Sequence, residues 1–184
     1  MDPSVVAPLA AFLLMVVALG LVVRRTGRVI ADTREAEAFR RAAADLAKRV
    51  DISLAGIVEA IDGVRHHRVG PSEIAENLAA ALDGVRRYGE EVRALGGPAS
   101  VAPLRDGLQA ELERADRALE MVEHGCAILE DARGIGRDVE GEMAVKRGYL
   151  NLLHAREAIA EYASQIAASR SGGDSRWYSR RRSA

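Results

Sequence analysis

Four histidines, a single cysteine and many acidic side chains alternating with basic ones are the groups of this chain that could do chemistry. Histidine can ligate a metal, shuttle a proton or accept a phosphoryl group, but each task needs partners at a fixed spacing. In a helical protein the nearest template is the di-iron carboxylate centre, whose Glu-x-x-His pairs point two ligands from one helix face into a core. Three residues before His66, His67, His124 and His154 stand Gly63, Val64, Met121 and Asn151, so no such pair exists. His154 and Glu157 carry the reversed spacing and read as a polar contact on a helix surface. Adjacent His66 and His67, followed by Arg68, read as cations at the C-terminal end of a helix, where the dipole favours them. His124 and His154 are the candidate acceptors for a phosphotransfer reaction, although the residues around them spell no phosphotransfer signature.

Cys126 falls on an apolar stripe and is expected to be a small buried hydrophobe, since one cysteine closes no intramolecular disulfide. The chain has no G-x-x-x-x-G-K-[ST], no G-x-S-x-G and no H-E-x-x-H, so phosphate cradle, serine nucleophile and zinc protease all lack their carriers. Glu111, Arg114, Arg117 and Glu120 alternate at helical spacing and read as a solvated face. The sequence therefore points to no catalytic residue, no metal, no cofactor and no small-molecule substrate.

The elements that hold these residues are helical. With 33 alanines and an aromatic share of 4 %, the chain lacks the Val, Ile, Tyr and Phe that a half-buried pleat requires. Residues 4–23 form an uncharged run of 20 residues, enough at about 1.5 Å per residue to cross a hydrocarbon core roughly 30 Å thick. The residues before the run include Asp2 and no Lys or Arg, and no A-x-A-like site follows it, so it reads as a retained anchor and not as a cleaved signal. Arg24, Arg25 and Arg28 crowd its C-terminal flank, which sets the N-terminus outside and the body in the cytoplasm of a single-pass cell-membrane protein. The inverted orientation would instead give an envelope-facing body that contacts wall or surface components.

Beyond Gly27, apolar positions step by three or four along four stripes. The first runs from Phe39 through Leu46, Leu54 and Ile61 to Val64 and ends near His67, before Gly70 and Pro71. A second runs from Ile74 to Leu95 and stops at Gly96, Gly97 and Pro98, and a third runs from Leu104 to Leu129. The fourth, with Asp138 as its expected cap, comprises Val139, Met143, Leu150, Leu153, Ile159, Tyr162 and Ile166. The expected fold is all-α: an N-terminal single transmembrane helix followed by an elongated antiparallel bundle of four long helices. Its parts are an anchor over 1–25, a cytoplasmic helical bundle over 26–170 and a basic flexible tail over 171–184. Whether the anchor runs unbroken into the first bundle helix through Thr26 and Gly27 is left open. Interior glycines such as Gly125, Gly141 and Gly148 suit close approach of helices; a hinge is the alternative use.

A near-neutral total conceals a dipolar layout. Residues 24–50 hold eight basic and four acidic side chains, residues 51–169 hold 13 and 21, and the last fifteen residues hold five Arg against Asp174. In an antiparallel bundle the tail returns to the membrane side. It would there present Arg176, Trp177, Tyr178, Arg180, Arg181 and Arg182 to an anionic leaflet or to a partner. Nucleic acid is a poor match, because the body is acidic and only this short end is basic. These features describe a membrane-anchored scaffold or adaptor without catalytic activity, whose partners are the bilayer and either another protein or a second copy engaged through helix faces. A membrane-tethered histidine-phosphotransfer-like module is the alternative.

Overall fold

The computed structural model describes residues 3–97, 99–131 and 136–168, with side chains given mainly from Thr33 onward. Four helices account for nearly all of it: α1 (Pro3–Arg65), α2 (Ala75–Ala94), α3 (Ala102–Glu130) and α4 (Arg137–Ala168). Short 3₁₀ turns, Pro71–Ile74 and Ala99–Val101, lead into α2 and α3. No strand occurs among the described residues. Among those same residues no helix is long and apolar enough to cross a membrane; the run 4–23 is helical in its backbone but falls mostly where side chains are not described.

The packing order can be read from side-chain pairs. Between α1 and α2, Arg49 meets Glu91 while Ser53 faces Gly84. Between α2 and α3, Arg93 meets Glu113 and Arg86 meets Glu120. Between α3 and α4, Gly107 lies under Tyr162 and Gly125 against Val145. Between α4 and α1, Arg156 meets Asp51 and Tyr149 meets Arg65. In every case the partner's number falls as the first rises, so each helix runs antiparallel to both of its neighbours and the four close into a ring. α3 and α4 pack most extensively.

The core is dry. Its fully buried side chains include Leu46, Leu54, Ile61, Leu78, Leu108, Leu112, Leu119, Leu152, Ile159 and Ile166, and no polar or charged residue among those described is buried. The first three stripes read from the sequence lie in this core or against it. The fourth does so only in its second half, where Ile159 and Ile166 are buried and Leu153 packs against the core. Val139, Met143 and Leu150 are exposed, and α4 instead turns Gly141, Val145, Gly148, Leu152 and Ala155 inward. The cause is the closeness of α3. A Cβ added to Gly148 would sit 2.6 Å from Val122 Cγ2 and 2.7 Å from the Ala118 carbonyl oxygen, and one on Gly125 would sit 2.8 Å from the Val145 nitrogen. Small residues form this part of the seam, so over the first half of α4 a search for large apolar side chains selects the wrong face. Asp138 also differs from its expected role: it lies inside the first turn of α4, after Gly136, where its charge complements the helix dipole without capping.

α1 continues without interruption through Thr26 and Gly27. Its first buried residue among those described is Ala36, so the stretch from Pro3 to Glu35, about 50 Å of helix at 1.5 Å per residue, extends past the bundle. It leaves at the end where α2 stops, α3 starts and α4 finishes, because Gly97 lies against Phe39.

Candidate functional site

At the opposite end of the bundle, the close of α1 is shaped by its last two backbone hydrogen bonds. The Arg68 N–H donates to the Gly63 carbonyl at 2.9 Å and the His67 N–H to the Val64 carbonyl at 3.0 Å. This six-to-one and inner pairing is a Schellman motif, which places one residue in the left-handed region, a position that glycine fills at least strain. Here His67 fills it, at φ 52°. His66 Nδ1 donates to the Asp62 carbonyl at 2.9 Å, a carbonyl that also accepts the His66 backbone N–H at 3.2 Å. Asp62 also gathers Arg65 at 3.1 Å and Arg68 at 2.8 Å.

This turn forms one wall of a cleft of about 400 Å³, lined by Val64, Arg65, His67, Val69, Pro71, Leu129, Glu142, Val145 and Lys146. The Arg65 guanidinium lies over the Tyr149 ring, 4.2 Å from its centroid, and His67 Nε2 stands 3.7 Å from Glu142 Oε1. The floor is apolar and the rim carries charges of both signs. An apolar group with a polar end fits such a cleft; no Ser, Thr or Cys lines it, and its carboxylate is opposed by the imidazole. Neither histidine of the pair was marked by the sequence as part of a cleft. The only sequence signal was their place just before Gly70 and Pro71.

The remaining chemistry-bearing residues lie apart. Cys126 is buried, and loss of hydration, reinforced by Glu130 and Glu123, pushes its thiol up to about 11. His124 and His154 are exposed on α3 and α4; His124 stands one turn from Glu120 and beside Glu123, and His154 makes no hydrogen bond or ion pair with Glu157 among the described residues. Also among them, no group of three His, Cys, Asp or Glu side chains could hold a metal. The alternating charges on α3 form more than a solvated face. Arg86 reaches from α2 to Asp116 at 3.1 Å and Glu120 at 2.8 Å, Arg49 holds Glu91 through two hydrogen bonds of 2.6 and 3.3 Å, and Arg93 meets Glu113 at 3.3 Å. The Arg49 hydrogen bond lowers the Glu91 carboxyl below its ordinary range, and the Gln109 amide followed by Arg93 does the same for Glu113. Such exposed pairs add little stability each, but their spacing favours this helix order over others.

Arg24, Arg25 and Arg28, expected from the sequence to set orientation, lie on α1, with side chains outside the described residues. The tail residues Arg176, Trp177, Tyr178, Arg180, Arg181 and Arg182 lie outside the described residues altogether. No family model matches the chain, and comparison with curated proteins and with solved structures gives no match.

Proposed function

We propose that the protein is a single-pass, membrane-anchored helical scaffold, its apolar run 4–23 in the bilayer and its four-helix body held in the cytoplasm. The observation that carries this reading is a set of exposed apolar side chains, among the described residues, on the part of α1 beyond the bundle. α1 outruns the bundle, and along the extension Met15, Leu19 and Leu21 are exposed. Exposed large apolar side chains within an uncharged run of 20 residues suit a membrane or partner contact. Arg24, Arg25 and Arg28 at its inner flank favour a cytoplasmic body. α4 finishes at the same end of the bundle as the extension, which supports contact of Arg176, Trp177, Tyr178, Arg180, Arg181 and Arg182 with the same leaflet.

The test uses a Cys126→Ala chain carrying Gly96→Cys, a position with open space around it. An impermeant thiol reagent should label it only after cells are permeabilised. Labelling in intact cells overturns the orientation, and recovery of the full chain in the soluble fraction without detergent overturns the anchor. A second reading, phosphoryl acceptance at His124 or His154, is favoured by the exposure of both rings. The Glu120 and Glu123 carboxylates beside His124 oppose an incoming phosphoryl group there. Phosphate incorporation that disappears with His154→Gln would establish it.

A further inference from the structure

The outer face of α4 is unusual in being both apolar and ordered in its charges. Val139, Met143 and Leu150 are 57, 48 and 43 % exposed and lie on one face, opposite the inward Val145, Leu152 and Ala155. On the flank toward α1 stand Glu142 and Lys146; on the flank toward α3 stand Glu140 and Arg147. The α1 flank is fixed by Glu142, which meets His67 of the α1 turn. Each flank places an acid before a base. Glu140, Lys146 and Arg147 make no ion pair within the chain among the described residues.

We propose that this face pairs with the same face of a second copy, the two α4 helices antiparallel about a two-fold axis near Ala144. In an antiparallel pair like flanks face each other, so Glu142 meets Lys146 of the second copy and Glu140 meets its Arg147. Each ion pair is made twice. The same axis sets Val139 against Leu150 of the second copy and brings the two Met143 side chains together, so the apolar and the ionic pairings share one centre. A parallel pair would bring unlike flanks together, setting Glu142 near Glu140 of the second copy and Lys146 near its Arg147, acid against acid and base against base. The charges therefore select the antiparallel register and exclude the parallel one. A patch of this size is below that of a permanent dimer, which makes the association reversible and dependent on concentration. The inference goes beyond the scaffold reading and does not depend on the anchor.

Cross-linking of the full chain in detergent, in a Cys126→Ala background, tests it. Met143→Cys should link to itself on mild oxidation. Val139→Cys and Leu150→Cys should link when the two chains are mixed and not when each is alone, and Glu161→Cys should not link. Helicity by circular dichroism shows that these exposed substitutions leave the fold intact. No link at Met143→Cys overturns the proposal, and so does self-linking at Val139→Cys, Leu150→Cys and Glu161→Cys alike, which would report a parallel pair. A charge reversal reads the same register independently: Glu142→Lys should weaken dimerisation on the order of tenfold, and adding Lys146→Glu to the same chain should restore it. Failure of the restoration overturns the antiparallel alignment.

Discussion

His67 holds the left-handed position of a helix-ending motif without being glycine, the one described non-glycine residue with a positive φ. A side chain there costs of order 1 kcal/mol relative to glycine, and the 3.7 Å contact with exposed Glu142 returns little of it. His67→Gly is therefore expected to stabilise the protein by about 1 kcal/mol, raising Tm by roughly 2–4 °C in a body of this size. A fall in Tm would mean that the imidazole contact outweighs the strain. Cys126 gives a second expectation at this scale. Its thiol is pushed up from 9.0 to about 11, so the folded chain keeps the proton over a pH range in which the unfolded chain loses it. Stability tied to this group is complete below pH 9 and declines as pH rises toward about 11. Urea titrations at pH 8 and pH 10.5, on the native chain and on Cys126→Ala, should show a larger loss with the cysteine present. Thiol labelling of the folded chain at pH 8 should be slow and should accelerate on unfolding.

The helices differ in how they approach one another, and the contrast can be measured with one kind of substitution. Glycine inside an exposed helix costs roughly 0.5–1 kcal/mol relative to alanine, so Gly56→Ala on α1, where a Cβ meets nothing within 4 Å, should stabilise by about that amount. Gly148→Ala makes the same chemical change where the new carbon would stand 2.7 Å from the Ala118 carbonyl oxygen, a backbone atom that cannot rotate away. It should destabilise by about 1–3 kcal/mol, as overpacking does, with denaturant midpoints moving in opposite directions for the two variants. Four helices and their order were legible in the sequence because Phe39, Leu46, Leu54, Ile61, Leu78, Leu108 and Leu119 mark three inward faces with large side chains, all of them buried. The inward face of α4 was legible only in its second half, through Ile159 and Ile166; in the first half close packing against α3 selects glycine and alanine and leaves Val139, Met143 and Leu150 to the outside. The cleft beside His67 was hidden for a related reason: a Schellman turn is recognised by its glycine, and this one has none.

At the scale of the whole molecule, the unbroken course of α1 and the antiparallel pairing of α4 constrain each other. Because α1 and α4 are antiparallel neighbours, the α1 extension leaves one bundle at the end where its α4 finishes. Two copies paired through antiparallel α4 helices therefore send their apolar runs out of opposite ends of the dimer. A straight α1 cannot place both runs in one bilayer while the bundles stand upright on it; it joins two bilayers instead. Full-length chain reconstituted into vesicles should accordingly make them cluster, seen as a rise in light scattering that grows with protein density. Met143→Glu sets two like charges against each other at the two-fold axis and should abolish clustering while the protein still floats with the vesicles. Vesicles that stay dispersed although Met143→Cys still links to itself would show that α1 departs from a straight course between Arg24 and Ala36, letting both bundles lie along one surface. Gly27, the one glycine in that segment, is then where the bend belongs, and Gly27→Ala should restore clustering by stiffening it.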